Sequence, residues 1–172
     1  MTENPRTQIR SFVERHPGVH FNGLVRRLDL APGQVQYHLR PLLGDGRLVR
    51  EEFYGQTHYY PRECDEWSRG LLALARRETA RDVIFDLLER GPSRPAAVAE
   101  RVGVARSTLE WHLDHLVEQG VVEKRRGSHN RVTLALRRPE ATLELLGAVE
   151  PSLPERLVDR FERLLDGLLS EP

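Results

Sequence analysis

An internal repeat constrains this chain more than any other feature of its sequence. The stretch QYHLRPLLGDGRLVRE, which begins at Gln36, has a counterpart 74 residues later in EWHLDHLVEQGVVEK, which begins at Glu110. A shift by 74 residues also aligns apolar positions with apolar positions, as where Ile9 meets Val83. Self-similarity at a fixed period indicates repeated structural units. With 172 residues the chain is long enough for two small domains, so we expect two copies of one fold.

In the first copy, apolar residues at helical spacing predict three helices. The first ends at His16, the second covers about residues 21–28 and the third about 33–43. The period then changes, since residues 48–60 are rich in aromatic and β-branched side chains around Gly55-Gln56. This dipeptide is a two-residue turn signal, so we predict a β-hairpin there.

The second copy predicts the same order of elements. Helices are expected near residues 80–90, 94–102 and 106–119, followed by a hairpin that turns at about 127–130. Thr79 and Asp82 have the spacing of a capping box for the first of these helices. Between the copies, apolar residues at helical spacing after Glu66 predict a helical linker rather than a flexible tether.

Three helices followed by a hairpin, with a short turn before the third helix, is the layout of a winged helix-turn-helix domain. The segments LVRRLDLAPGQVQYHLRPLLGDGRLVREE and VAERVGVARSTLEWHLDHLVEQGVVEKRR resemble the core of prokaryotic regulators of the ArsR and MarR type, over about residues 7–61 and 80–136. Two such domains with HPGVHFNGLVRRLDL at the front resemble archaeal tandem winged-helix regulators. The resemblance implies a mainly α fold with small β-hairpin wings and binding to double-stranded DNA.

From these patterns we predict a first winged helix-turn-helix domain at 1–62, a helical linker at 63–79, a second such domain at 80–138 and a C-terminal helical segment at 139–172. Apolar residues of the C-terminal segment form one stripe, which a short helix cannot hide by itself. We therefore expect a homodimer that uses this stripe, formed by Leu157, Phe161, Leu164, Leu165 and Leu168.

The formal net charge of zero hides an uneven distribution along the chain. Residues 79–138 contain 11 basic against 8 acidic side chains, whereas residues 139–172 contain 3 against 8. The densest basic stretch, KRRGSHNRVTLALRR, begins at Lys124 and contains no acidic residue. A local basic surface of this kind is typical of a phosphate-binding wing.

In winged helix-turn-helix domains the third helix enters the major groove and the wing contacts phosphate or the minor groove. Glutamine and arginine on that helix can pair with adenine and guanine edges. The second copy differs because its third helix carries Glu110 and Asp114, whose carboxylates repel phosphate. Our hypothesis is that the first domain reads bases, while the second binds through its wing or serves as a dimer and partner platform. The predicted DNA contacts are Gln34, Gln36, Tyr37 and Arg40 in the first copy, with Arg106, Ser107, Lys124, Arg125, Arg126 and Arg131 in the second.

Other chemistries have little support in the sequence. Two histidine pairs have spacings that suit a metal, but no cysteine or carboxylate cluster supplies further ligands, so we expect no metal and no cofactor. No phosphate-binding glycine loop or nucleophile motif is present, and Cys64 lies in the acidic context RECDE, so we expect no enzyme activity. The single cysteine and the lack of a long apolar run favour a cytoplasmic protein that does not enter membranes.

These observations predict a sequence-specific transcriptional regulator, a repressor rather than an activator because no activation segment is visible. The alternative is a protein-protein adaptor, since tandem winged helices also serve chromosome-organising and other multi-subunit complexes. The carboxylates of Glu110 and Asp114 and the acidic tail fit that role. The sequence leaves the operator and any small-molecule effector open.

Overall fold

The computed structural model of the protein describes residues 3–148, and the chain divides into two compact units, residues 1–73 and 74–172. The fold class agrees with the prediction, since helices dominate the described residues and each unit contains one small antiparallel hairpin. Among residues 3–148, no helix has the length and apolarity required to span a bilayer.

The first unit begins with a helix whose start is encoded locally. Asn4 caps it, because its side-chain oxygen accepts a hydrogen bond from the Arg6 amide at 3.0 Å, and Pro5 occupies the first turn. His20 caps the second helix through Nδ1, which accepts from the Gly23 amide at 3.0 Å. The elements are α1 (Pro5–Arg15), β1 (Val19–His20), α2 (Phe21–Leu28), α3 (Pro32–Gly44), β2 (Leu48–Phe53), β3 (Gln56–Pro61) and α4 (Glu66–Ala75), the last of which crosses the boundary between the units.

The three strands of the first unit form one antiparallel sheet in the order β1-β3-β2. Phe53 pairs with Gln56, so the hairpin turns at Tyr54 and Gly55. Both turn residues have positive φ, 52° and 80°, as the two-residue turns that match strand twist require. The predicted turn at Gly55-Gln56 was therefore wrong by one residue, because Tyr54 adopts a conformation that non-glycine residues seldom take.

The second unit contains α5 (Glu78–Arg90), α6 (Pro95–Val102), α7 (Arg106–Glu118), β4 (Val122–Arg126), a short 3-10 helix (Ser128–Asn130), β5 (Val132–Leu136) and α8 (Pro139–Ala148). The predicted capping box was wrong. The helix begins at Glu78 after Arg77, which makes no side-chain cap hydrogen bond, and Thr79 already lies inside the helix.

The repeat seen in the sequence is a repeat of structure. Helices α6 and α7 and strand β4 each begin 74 residues after their counterparts α2, α3 and β2. The inner face of the third helix is buried in both units, where Leu39 and its counterpart Leu113 are 4% and 0% exposed. The second unit replaces β1 with a single bridge between Ser93 and Leu134. The predicted C-terminal stripe from Leu157 to Leu168 lies outside the described residues.

A cluster of polar contacts attaches α4 to the wing of the first unit. The Tyr60 hydroxyl donates a hydrogen bond to the carbonyl of Arg69 at 3.0 Å. The Arg69 guanidinium in turn donates to the carbonyl of Cys64 at 2.6 Å and pairs with the carboxylate of Glu51. Because the Arg69 guanidinium offsets the charge of Glu51, the net negative charge near the first wing is smaller than the Glu51-Glu52 sequence indicates.

Candidate nucleic-acid interface

The outer face of α3 is well defined because the inner face is fixed in the core. Val35 is fully buried and Leu39 is 4% exposed, so the helix cannot rotate without losing this packing. Gln36, Tyr37 and Arg40 lie on the exposed side, and Tyr37 is 70% exposed. Three of the four residues predicted to contact DNA from this helix therefore form one accessible surface.

Gln34 is also exposed, but part of its amide is in use. Its Oε1 accepts a hydrogen bond from the backbone amide of Ala31 at 3.1 Å, which satisfies a donor at the start of α3. The NH₂ group of Gln34 and the second lone pair of Oε1 are left to contact a base or phosphate. The cap restricts how the amide can turn toward an adenine edge, because a bidentate contact uses both amide atoms.

Two grooves flank α3 in the first unit. The groove between α3 and β2 has a volume of about 950 Å³, and Gln36, Arg40 and Arg50 are among its lining residues. The groove between the start of α1 and α3 has a volume of about 330 Å³, and its lining includes Arg6, Gln36 and Arg40. No carboxylate lines either groove. Arg40 therefore shares one groove with Arg50 and the other with Arg6, and cationic grooves lined by no carboxylate attract phosphate.

Arg6 and Arg50 are not among the DNA contacts predicted from the sequence. Arg6 lies on α1 and Arg50 on β2, and only the packing of these elements beside α3 places them at the grooves that contain Arg40. Neither side chain makes an ion pair with any residue in the described part of the chain. The spacing of apolar residues along a helix predicts which of its residues are exposed. It does not predict which cations of neighbouring elements lie beside that helix.

In the second unit the predicted cations are divided into two groups. Lys124 Nζ lies 2.9 Å from Glu110 Oε2, and Arg106 Nη2 lies 3.7 Å from the other oxygen of the same carboxylate. Arg125 Nε lies 2.6 Å from Glu123 Oε1. These three cations are already paired within the unit.

The remaining wing cations are Arg126, at the end of β4, and Arg131, which precedes β5. Both are exposed, and neither pairs with an acidic residue within 3–148. Ser107 is exposed in the first turn of α7. The structure therefore places the unpaired positive charge of the second wing at its tip.

The outer face of α7 carries Trp111 at the position of Tyr37 in the first unit, 49% exposed. Its ring packs edge-on against His112 and His115, with ring centroids at 4.7 and 4.4 Å, and the Arg77 guanidinium lies 5.6 Å from the ring. Burial, with smaller effects from Arg77 and His115, lowers the pKa of His112. This favours a neutral imidazole that serves in packing.

The metal-ligating side chains and the single thiol of residues 3–148 can be examined directly. Within residues 3–148, no three His, Cys, Asp or Glu side chains cluster as metal ligands would. Burial raises the pKa of Cys64 to about 11, although Arg69 opposes the shift. The thiol is therefore protonated at neutral pH, and a protonated thiol is a poor nucleophile.

Comparisons with known proteins identify the two units separately. Residues 3–72 match a family model described as an N-terminal HTH domain, and residues 77–125 match one described as a helix-turn-helix domain. A search of curated proteins gave no significant match.

Matching solved structures include two of AbfR. The crystal structure of overoxidized AbfR bound to DNA is 17% identical, with a TM-score of 0.42, and the match covers 61% of this chain and 83% of that one. The structure of disulfide-formed AbfR is 16% identical, with a TM-score of 0.36 and coverage of 60% and 85%. The family matches and the repeated architecture agree: the chain carries two tandem winged helix-turn-helix domains.

Proposed function

We propose that the protein is a sequence-specific transcriptional repressor that reads double-stranded DNA with the first domain. The observation that carries this proposal is the pair of acid-free grooves beside α3, which share Gln36 and Arg40 and include Arg6 on one side and Arg50 on the other. When α3 occupies the major groove, Gln36 and Arg40 face base edges, while Arg6 and Arg50 are available to the phosphates on either side.

The second domain adds contacts that do not depend on sequence. Arg126 and Arg131 at the tip of its wing are exposed and unpaired within the described part of the chain, so they can replace counterions at the phosphate backbone. Ser107 can donate a hydrogen bond to phosphate from the first turn of α7. We propose that these contacts strengthen binding while the first domain selects the sequence.

We also propose that the protein acts as a homodimer without catalysis. Small regulators bind two-fold symmetric sites as dimers, with half-sites about one helical turn apart. The predicted dimer stripe, with Leu157 and Phe161 at its start, lies outside the described residues and remains part of this proposal. A repressor needs only to occupy its site, and the two domains already provide the means to do so.

The decisive experiment compares DNA from upstream of the gene that encodes the protein with random DNA of equal length. Binding is measured by fluorescence anisotropy at 50 and 200 mM salt. The proposal predicts tighter binding to the upstream DNA and a decrease with salt on both. Gln36→Ala with Arg40→Ala should reduce the preference for the upstream DNA. Equal affinity of the wild-type protein for both DNAs would contradict sequence-specific reading, and unchanged preference in the double variant would exclude α3 as the reader.

An adaptor for another protein is the second candidate function. The 49% exposed Trp111 favours it, because aromatic side chains that remain accessible often anchor protein interfaces. The same experiment separates the two functions, since an adaptor binds neither DNA at either salt concentration.

A further inference from the structure

We propose that Glu110 limits the affinity of the second domain for DNA by holding two of its cations and placing a negative charge beside the phosphate backbone. This inference rests on the proposed DNA-binding function.

The geometry gives Glu110 two partners on two elements. Its Oε1 lies 3.7 Å from Arg106 Nη2, one helical turn earlier on α7, and its Oε2 lies 2.9 Å from Lys124 Nζ on β4. The Glu110 carboxylate therefore bridges the start of α7 and strand β4 of the wing. In a winged helix-turn-helix complex these two elements flank the DNA backbone.

The pairs are too exposed to serve mainly as stabilising contacts. The side chains of Arg106, Glu110 and Lys124 are 56%, 40% and 37% exposed. Surface ion pairs of this kind contribute little to folding. Their electrostatic effect on an approaching polyanion is different, because a carboxylate within the contact surface cancels cations that would otherwise replace counterions.

The internal repeat supplies a built-in comparison. Glu110 occupies the position of Gln36, and Lys124 that of Arg50, 74 residues earlier. In the first unit, Gln36 and Arg50 line the same groove, and no carboxylate lies in its wall. The same position is therefore neutral in the proposed reading domain and anionic in the second domain.

Glu110→Gln tests the inference, because glutamine has nearly the same shape and can still accept a hydrogen bond from Lys124. We expect affinity for random duplex DNA to rise by up to about 60-fold at 0.1 M salt, and the salt slope to steepen by up to about 1.8, since two released cations contribute about 0.9 each. Phosphate contacts carry no sequence information, so binding to the upstream DNA should rise by a similar factor.

Glu118→Gln is the matched control, because it removes one negative charge from the same helix. Glu118 is exposed at the end of α7 and forms no ion pair with another described residue. Its substitution should raise affinity by less than half the factor seen for Glu110→Gln. Adding Lys124→Ala to Glu110→Gln should remove part of the gain, which shows whether the effect passes through that lysine. Thermal unfolding of each variant verifies that it is folded.

The outcomes distinguish this inference from the function on which it rests. If the wild-type protein binds DNA and Glu110→Gln changes affinity and salt slope no more than Glu118→Gln does, the proposed role of Glu110 is wrong. The proposed DNA-binding function then stands. If neither the wild-type protein nor the variants bind DNA at 50 mM salt, both are wrong. A higher DNA affinity together with a steeper salt slope, seen for Glu110→Gln and not for Glu118→Gln, supports the inference.

Discussion

Replacing Arg126 and Arg131 together with alanine tests the wing of the second domain, because these are its exposed cations that make no ion pair within residues 3–148. Arg125 is the matched control. It lies next to Arg126 on the same strand, but its Nε is 2.6 Å from Glu123 Oε1 and its charge is therefore partly cancelled. All three arginines are exposed and carry equal charge. Arg125 differs from Arg126 in the carboxylate that holds it and in the face of the strand on which it lies.

The size of the effect follows from counterion release. Each lost phosphate contact lowers the slope of log affinity against log salt by about 0.9, which corresponds to about eightfold weaker binding at 0.1 M salt relative to 1 M. The double variant should therefore lose about 1.8 in slope and on the order of 60-fold in affinity, on specific and random DNA alike. Arg125→Ala should change the slope by less than half of the roughly 0.9 expected for one phosphate contact, because the charge of Arg125 is already offset by Glu123.

Anisotropy titrations at four salt concentrations between 50 and 200 mM measure both the slope and the affinity. Circular dichroism of the variants checks that the wing substitutions leave the fold intact. A slope unchanged in the double variant would refute contact between the wing and phosphate. If Arg125→Ala lost more DNA affinity and salt slope than the double variant, the expectation that paired cations contribute less to DNA binding would be wrong.

Three further predictions concern single side chains. Because its pKa is raised to about 11, Cys64 should alkylate slowly at pH 8 and faster as the pH approaches 11, as a stopped-time iodoacetamide assay measures, and Cys64→Ser should leave DNA affinity unchanged. Leu113→Ala should destabilise the second domain by about 2–5 kcal/mol, measured by urea unfolding, because a fully buried side chain leaves a cavity. The lowered pKa of His112 means that the unfolded chain binds more protons near pH 6.5, so stability should decrease as the pH falls through that value; an NMR titration of His112 with a midpoint above 6.5 would contradict this.

The core of each domain was predictable because it depends on local periodicity. Val35 and Leu39 recur at helical spacing, and the burial of both and of their counterparts Leu109 and Leu113 agrees with the predicted inner face. The limits of α2 were also predicted, since its local sequence contains both its cap and its end. The order of three helices and a hairpin follows from such signals alone, and it defines the winged helix-turn-helix fold.

The candidate interface was only partly predictable. The outer face of α3 followed from its inner face, and Gln36, Tyr37 and Arg40 are exposed as that reasoning requires. Arg6 and Arg50 were missed because they reach the grooves of α3 from other elements. The hairpin turn was misplaced because the propensity of glycine for positive φ located one turn residue and gave no information on Tyr54.

The sequence by itself determined the repeat, the fold of each copy and the positions at which the copies differ, because periodicity and turn chemistry act over a few residues. It also showed that Glu110 replaces Gln36. Only the tertiary structure showed that this carboxylate pairs with a cation of β4, since Lys124 is 14 residues away and no local pattern couples the two residues. Electrostatic pairing depends on distance in space, and the packing of β4 beside α7 brings Lys124 and Glu110 to 2.9 Å.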